Sequence, residues 1–271
     1  MRRIQYIEIH DQSWFPSTIR DEITDALQFG FNVIKAYSPI VPLLQGALDF
    51  ARTSAPDQKT IVDLCSGGGG PWFDLAKKIQ GRAPNGAPQP LQIWLTDKFP
   101  NVSGTENVSK SDASLNHIAF YPSAVDAASV PRELKGFRTM FTSFHHFPPE
   151  QALSILQNAV DTEEGIGIFE ITRRAPAAIA RVFAWTAFLC LATPWVRPFR
   201  WTRLLWTYVI PIIPLVLMHD GVVSCLRSYR PTEMLDIVKQ LSANAYDWKA
   251  GEFAVKFWQP PITYLIGYPR S

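Results

Sequence analysis

The sequence predicts an α/β fold, an open and largely parallel β-sheet with helices on both faces. Three observations predict it. Residues 61–71, Ile-Val-Asp-Leu-Cys-Ser-Gly-Gly-Gly-Gly-Pro, read as a short strand, a glycine turn and a helix start. Strand-like apolar runs then alternate with helical ones as far as Ile171. Finally, runs at 246–257 and 262–267 flank Gln259-Pro260-Pro261, the pattern of an antiparallel end pair.

The elements follow in order. Ser17 is placed to cap a helix over 18–34, with Asp21 and Glu22 favouring its first turn. A second helix covers 42–53. These helices either cover a ligand pocket or pack as an appendage. The first strand is 60–64 and the next helix 71–80. Residues 81–90 hold too much Pro and Gly for helix or strand. Further strands fall at 91–96, 117–121, 137–142 and 165–171. A helix at 149–160 carries Glu150 in its first turn, and one at 231–241 precedes the end pair.

Residues 176–227 interrupt this pattern with an apolar insertion. Its runs, Val182 to Val196 and Leu204 to Met218, are each about 15 residues long. That is short of the roughly 20 that cross a bilayer as a helix, so two membrane spans are not expected. Arg197, Arg200, Trp195 and Trp201 interleave at the connection, as suits headgroup depth. The insertion is therefore either a helical cap over a hydrophobic pocket, a dimer interface, or a hairpin docked on a membrane surface.

Composition narrows the rest. A net charge of +2 over 271 residues carries no nucleic-acid footprint. Cys65, Cys190 and Cys225 are widely spaced and odd in number, which points to a reducing compartment. The N-terminus lacks an apolar signal core, so a cytoplasmic chain is expected, peripheral to a membrane if the insertion docks. Neither a repeat nor a heptad argues for any oligomeric state.

Asp63, Gly67 and Gly69 match the spacing of the first motif of class I S-adenosylmethionine (SAM)-dependent methyltransferases, which the stretch resembles. Cys65 stands where that motif usually has its first glycine. A dinucleotide turn would instead read Gly-x-Gly-x-x-Gly with its acid later in the chain. The resemblance covers about residues 55–172 and 228–268. It implies a Rossmann-like seven-stranded methyltransferase sheet with an antiparallel seventh strand, and SAM as cofactor. On that basis the N-terminal helical cap is 1–54, the SAM-binding domain 55–175 and 228–271, and the insertion 176–227.

The resemblance also implies roles for residues. Asp97, with Lys98 beside it, stands where an acid takes the ribose hydroxyls. Asp126 resembles the acid that accepts from the adenine amino group, or is a solvent-facing loop residue. Asp63 either orients the glycine turn or meets the cofactor's amino group. Cys65, Ser66, Gly67, Gly68, Gly69 and Ser143 would line the methionine and ribose side. The run Ser143-Phe144-His145-His146-Phe147 resembles the His-His-Phe segment that borders the acceptor in small-molecule methyltransferases.

His145 or His146 is the first candidate for removing an acceptor proton, Asp220 the second. With no third ligand in spacing, the histidines are not expected to hold a metal. Phe144, Glu170, His219 and Trp14 are the expected acceptor contacts. Glu170 alternatively pairs with Arg173 or Arg174, and His219-Asp220-Gly221 alternatively forms a plain turn.

The implied reaction is methyl transfer to an oxygen or carbon of an apolar small-molecule or lipid-like acceptor. An Asn-Pro-Pro-Tyr-type motif of nucleic-acid amino-methylation does not follow the fourth strand. The alternatives are an NAD(P)-dependent reductase on a Rossmann sheet and a non-catalytic, membrane-associated SAM-binding module.

Overall fold

The computed structural model describes residues 1–50, 58–82, 86–100, 115, 117–242, 246–253 and 261–270. Nine strands are described: β1 (Lys59–Asp63), β2 (Gly81–Arg82), β3 (Pro88–Gln89), β4 (Leu91–Leu95), β5 (Ile118–Phe120), β6 (Phe137–Phe141), β7 (Ile166–Glu170), β8 (Tyr246–Phe253) and β9 (Ile262–Pro269). Seven form one sheet in the order β5-β4-β1-β6-β7-β9-β8. From β5 to β7 the strands are parallel, and β9 runs antiparallel to both its neighbours.

Helices cover both faces of the sheet, which is why β6 and β7 are buried at every residue. On one side Ile61, Ile93, Phe141 and Phe169 pack with Leu44 and Leu48 of α2 (Val41–Phe50) and Trp72 of α3 (Trp72–Leu75). On the other, Val62, Met140 and Ile168 meet Ile155 and Leu156 of α4 (Pro149–Asp161).

A third core joins the N-terminal α1 (Ser17–Val33) to the insertion. Phe15, Ile19 and Ile23 pack with Leu189 of α5 (Pro176–Ala192) and with Ile213, Val216 and Leu217 of α7 (Ile212–Arg227). The short α6 (Trp201–Leu204) lies between α5 and α7, and α8 (Pro231–Val238) precedes the end pair.

Several boundaries differ from expectation for physical reasons. Ser17 begins α1 without capping it, because Pro16 takes the cap position. Two acids of α1 turn inward: Glu22 accepts from Thr202, and Asp25 Oδ2 accepts from Arg203 Nη2 at 2.6 Å, while Asp21 stays half-buried. The helix expected over 71–80 is one short α-turn, α3. Within 81–90, β2 and β3 pair as a two-residue antiparallel ladder despite the prolines. Residues 51–53, 254–257, Gln259 and Pro260, expected in a helix, a strand and a turn, lie outside the described residues.

Asp220 and Gly221 form no turn. Both lie within α7, and Gly221 is where α5 crosses: a Cβ there would stand 2.6 Å from Val182 Cγ1. The first apolar helix is also longer than its apolar run. It starts at Pro176 and reaches Trp195, 20 residues, long and apolar enough to cross a membrane. The second breaks: 201–209 and 212–227 meet at a 74° bend, beside Pro211, which lacks the N–H to continue a helix.

Candidate functional site

The carboxyl ends of β1, β4 and β6 open onto a cavity of about 920 Å³. Open α/β sheets bind ligands at these strand ends. One wall is the glycine turn, with Cys65, Ser66, Gly67, Gly68 and Gly70; beside it are Asp97, Lys98 and Ser143. The opposite wall is apolar, with Leu27 and Phe31 of α1, Trp185 and Phe188 of α5, and Val216 and Leu217 of α7.

The turn is built from below. Asp63 is buried beneath it, its carboxylate accepting from Ser66 Oγ at 2.7 Å and from Thr139 Oγ1 at 2.6 Å. Burial pushes its pKa up to about 7, against the opposing pull of those two donors. Of the two roles weighed for Asp63, the geometry gives it that of orienting the turn. Asp97 Oδ2 accepts from Gly67 N–H and Oδ1 from Phe99 N–H, both at 2.8 Å. Burial raises the Asp97 pKa while these backbone donors lower it. A carboxylate has about four acceptor sites, so two remain for a ligand.

The glycines serve more than ligand space. A Cβ on Gly68 would stand 3.0 Å from the Thr24 carbonyl, so α1 approaches the turn closely only because side chains are missing. Gly69 departs from its expected place. At φ +103° its Cβ position faces Phe73 and Leu95 in the core, and Gly70 lines the cavity instead. Cys65, in the place of the motif's glycine, adopts a glycine-like φ of +56°. Thr142 at the end of β6 has φ +45°, an outlier for a β-branched residue. It is fixed by its N–H to the Phe169 carbonyl at 2.9 Å and by a short contact with the Tyr37 hydroxyl.

The histidines stand in a buried polar cluster. His145 Nδ1 lies 2.7 Å from Glu170 Oε2, and Glu170 Oε1 accepts from Phe144 N–H at 2.7 Å. Glu170 therefore neither faces the cavity nor pairs with Arg173 or Arg174, which bind Glu252 and Glu233. A strand acid buried at 0% exposure needs a partner, and the imidazole supplies it. His146 Nδ1 sits 2.6 Å from Asp11 Oδ2. Burial disfavours charge on His145, but Glu170 and Glu8 outweigh it and raise its pKa to about 9. For His146, burial is likewise outweighed by Asp11 and Glu8, and its pKa is raised.

Glu8 and Asp11 come from the N-terminal segment, which no local pattern placed here. The segment is tied across the site: Ile4 N–H donates to the Leu226 carbonyl at 3.1 Å, and Gln5 Nε2 to the His146 carbonyl at 3.1 Å. Glu8 Oε1 accepts from Ser224 Oγ at 3.0 Å and lies 3.3 Å from Arg227 Nη1. Burial raises its carboxyl, yet His146 and His145 hold it down to about 2.

Asp220 anchors this segment. It accepts from Ile9 N–H at 2.7 Å and His10 N–H at 3.0 Å, and also meets His10 Nδ1 and His219 Nδ1. With four partners its carboxylate is filled, and it holds the N-terminal segment against α7. Other expected contacts fall away from the cavity. Phe144 is fully buried beside Tyr229, because the 3₁₀ turn at 144–146 rotates it into the core. His219 and Trp14 face solvent, on the outer sides of α7 and of the turn before α1. Asp126 is exposed; its Oδ1 accepts from Ala128 N–H, and its Oδ2 meets Lys98 at 3.4 Å.

No protein-family model matches the sequence, and no curated protein matches it. Solved structures do match. The small RNA methyltransferase HEN1 superposes with a TM-score of 0.50 at 12% identity, over 85% of this chain and 25% of that one. The pyocyanin biosynthetic protein PhzM gives 0.49 at 11%, over 88% and 56%. PigF, solved with SAH, gives 0.49 at 16%, over 95% and 63%. The chain thus spans less than two thirds of each of these proteins. At such identities the likeness concerns architecture, and it agrees with a strand order whose reversed β9 lies between β7 and β8. The chain has the class I SAM-dependent methyltransferase fold.

Proposed function

We propose that this chain is a SAM-dependent methyltransferase acting on an oxygen or carbon of an apolar small molecule, taken up at a membrane surface. One observation carries the reading: a single cavity joins the Asp97-braced glycine turn to an apolar wall supplied by α1 and the insertion.

The residues present fit the cofactor. Gly67, Gly68 and Gly70 leave backbone exposed on the cavity wall. Asp97 retains acceptor capacity for a vicinal diol. Ser143 Oγ is buried with no hydrogen-bond partner among the described residues, as a group awaiting a ligand would be. When bound, SAM supplies a methyl group already activated on a sulfonium. The chain's own task is then alignment and exclusion of water. Leu27, Phe31, Trp185 and Phe188 would hold the acceptor's apolar body, with His146 and Asp11 at its polar end. These walls and a net charge of +2 disfavour a nucleic-acid acceptor.

Calorimetry with SAM, S-adenosylhomocysteine and NADPH tests the reading. The first two should bind and the third should not. Asp97→Ala should weaken SAM binding by about 1.5–3 kcal/mol, the worth of a charge-assisted hydrogen bond. Binding of NADPH alone would favour the reductase alternative.

A further inference from the structure

We infer that Glu8, His145 and His146 form a binding site for a divalent cation of the zinc class, open toward the acceptor end of the cavity. The sequence argued against a metal because no third ligand lies near the paired histidines. The fold supplies one from the N-terminal segment, Glu8.

Three observations support the site. First, one donor atom from each residue lies within 4.8 Å of the others. Glu8 Oε1 is 3.6 Å from His145 Nε2, and Glu8 Oε2 is 3.2 Å from His146 Nδ1, which an ion would have to take from its 2.6 Å contact with Asp11 Oδ2. A tetrahedral ion with bonds of about 2.0–2.1 Å holds its ligands roughly 3.3 Å apart. Second, two of these atoms are orphaned. His145 Nε2 and Glu8 Oε2 have no hydrogen-bond partner among the described residues, although their side chains are 1% and 0% exposed. Buried polar atoms are nearly always satisfied, and a shared cation would satisfy both. Third, Glu170 holds His145 Nδ1 at 2.7 Å, which turns Nε2 toward Glu8. A carboxylate behind an imidazole is the usual support for a metal-bound histidine.

Imidazole with carboxylate, and no thiolate among the three, suits zinc better than magnesium or calcium. Glu8, Asp11 and Glu170 place three carboxylates around the two rings, against the one guanidinium of Arg227, 3.3 Å from Glu8 Oε1 and 3.9 Å from Asp11. All three proposed ligands line the cavity, so a further ligand can reach a cation held between them from that side. An oxygen donor fits there: a water, or a hydroxyl or carboxylate of the acceptor. Only this last role rests on the methyltransferase reading; there the metal would make an acceptor hydroxyl more acidic.

The test titrates the chelator-stripped full chain with Zn²⁺ alone, with SAM binding measured separately on the same sample. A single ion should bind. Glu8→Gln should weaken it at least about tenfold, and Glu170→Gln by about 10–100-fold. Co²⁺ in the wild-type chain should give a tetrahedral visible spectrum, a readout that does not depend on any variant folding. No ion on the wild type, an octahedral Co²⁺ spectrum, or unchanged affinity in a cooperatively melting Glu8→Gln overturns the site. SAM binding without zinc refutes the site alone; zinc binding without SAM refutes the methyltransferase reading alone.

Discussion

At the scale of residues, the cavity is framed by side chains held in conditions they do not prefer. Cys65 and Thr142 adopt left-handed backbone angles at the ends of adjacent strands, and Asp63 lies fully buried between them. Such conformations persist only when the surroundings over-determine them. Asp63 gives a pH prediction. Its folded pKa of about 7 lies above the unfolded value of about 3.9, so the folded state binds the proton more tightly. Its contribution to stability is full below about pH 4 and is lost as pH rises through 7. Asp63→Asn should flatten that slope, since Ser66 or Thr139 can turn its hydroxyl to accept from the amide. Urea midpoints at pH 5 and pH 8 check it: the wild type should lose more stability between them than the variant. The glycine turn and the Asp97 position were legible in the sequence because their geometry is local. Phe144, Trp14 and His219 were misplaced because the face a residue presents depends on turns and helix crossings that a one-dimensional pattern does not reveal. Glu8 and Asp11 were missed for a related reason. Nothing in an isolated Glu-Ile-His-Asp run states which distant histidines it will meet, although three ionisable residues within four positions ahead of an amphipathic helix are a signal worth weighing.

Among elements, α1 and the insertion behave as one unit. Buried Asp25 and Arg203 tie α1 to α6, each at 1–2% exposure. Removing one member leaves the other charge buried, so Asp25→Ala should cost about 3–5 kcal/mol. Thermal denaturation should show it, and a shift under a degree would mean the pair is solvated. The α5–α7 crossing gives a second prediction. Gly221→Ala drives a methyl into Val182, whose branched side chain has little freedom in a helix. Overpacking of this kind costs about 1–3 kcal/mol, or roughly 2–4 °C of melting temperature per kcal/mol in a chain of this size. The sequence marked the insertion as apolar and helical. The apolar run from Val182 marks only part of α5, because an alanine-rich stretch from Pro176 extends the helix without adding to that run.

For the whole molecule, the outstanding surface is the outer side of the insertion. Trp201, Leu191 and Val209 are 77%, 74% and 72% exposed, with Trp195, Phe199 and Tyr208 nearby and the cationic Arg197 also exposed. Only 28% of the apolar 18-residue stretch of this helix is buried, unlike a core helix of the same composition. Membrane docking through this surface predicts that the chain floats with vesicles containing anionic lipid, and that a Trp195→Asp, Trp201→Asp double variant stays behind. Wild-type protein remaining unbound and soluble without detergent would refute docking. The parallel sheet and its reversed last strand were legible from alternating patterns, whereas the assembly of the site from both ends of the chain was not. That assembly bears on biosynthesis. Glu8 leaves the ribosome long before Ser224 and Arg227, the partners that fix it. A nascent chain arrested earlier carries Glu8 without the two side chains that hold it in place, so this part of the site closes only after α7 has been made.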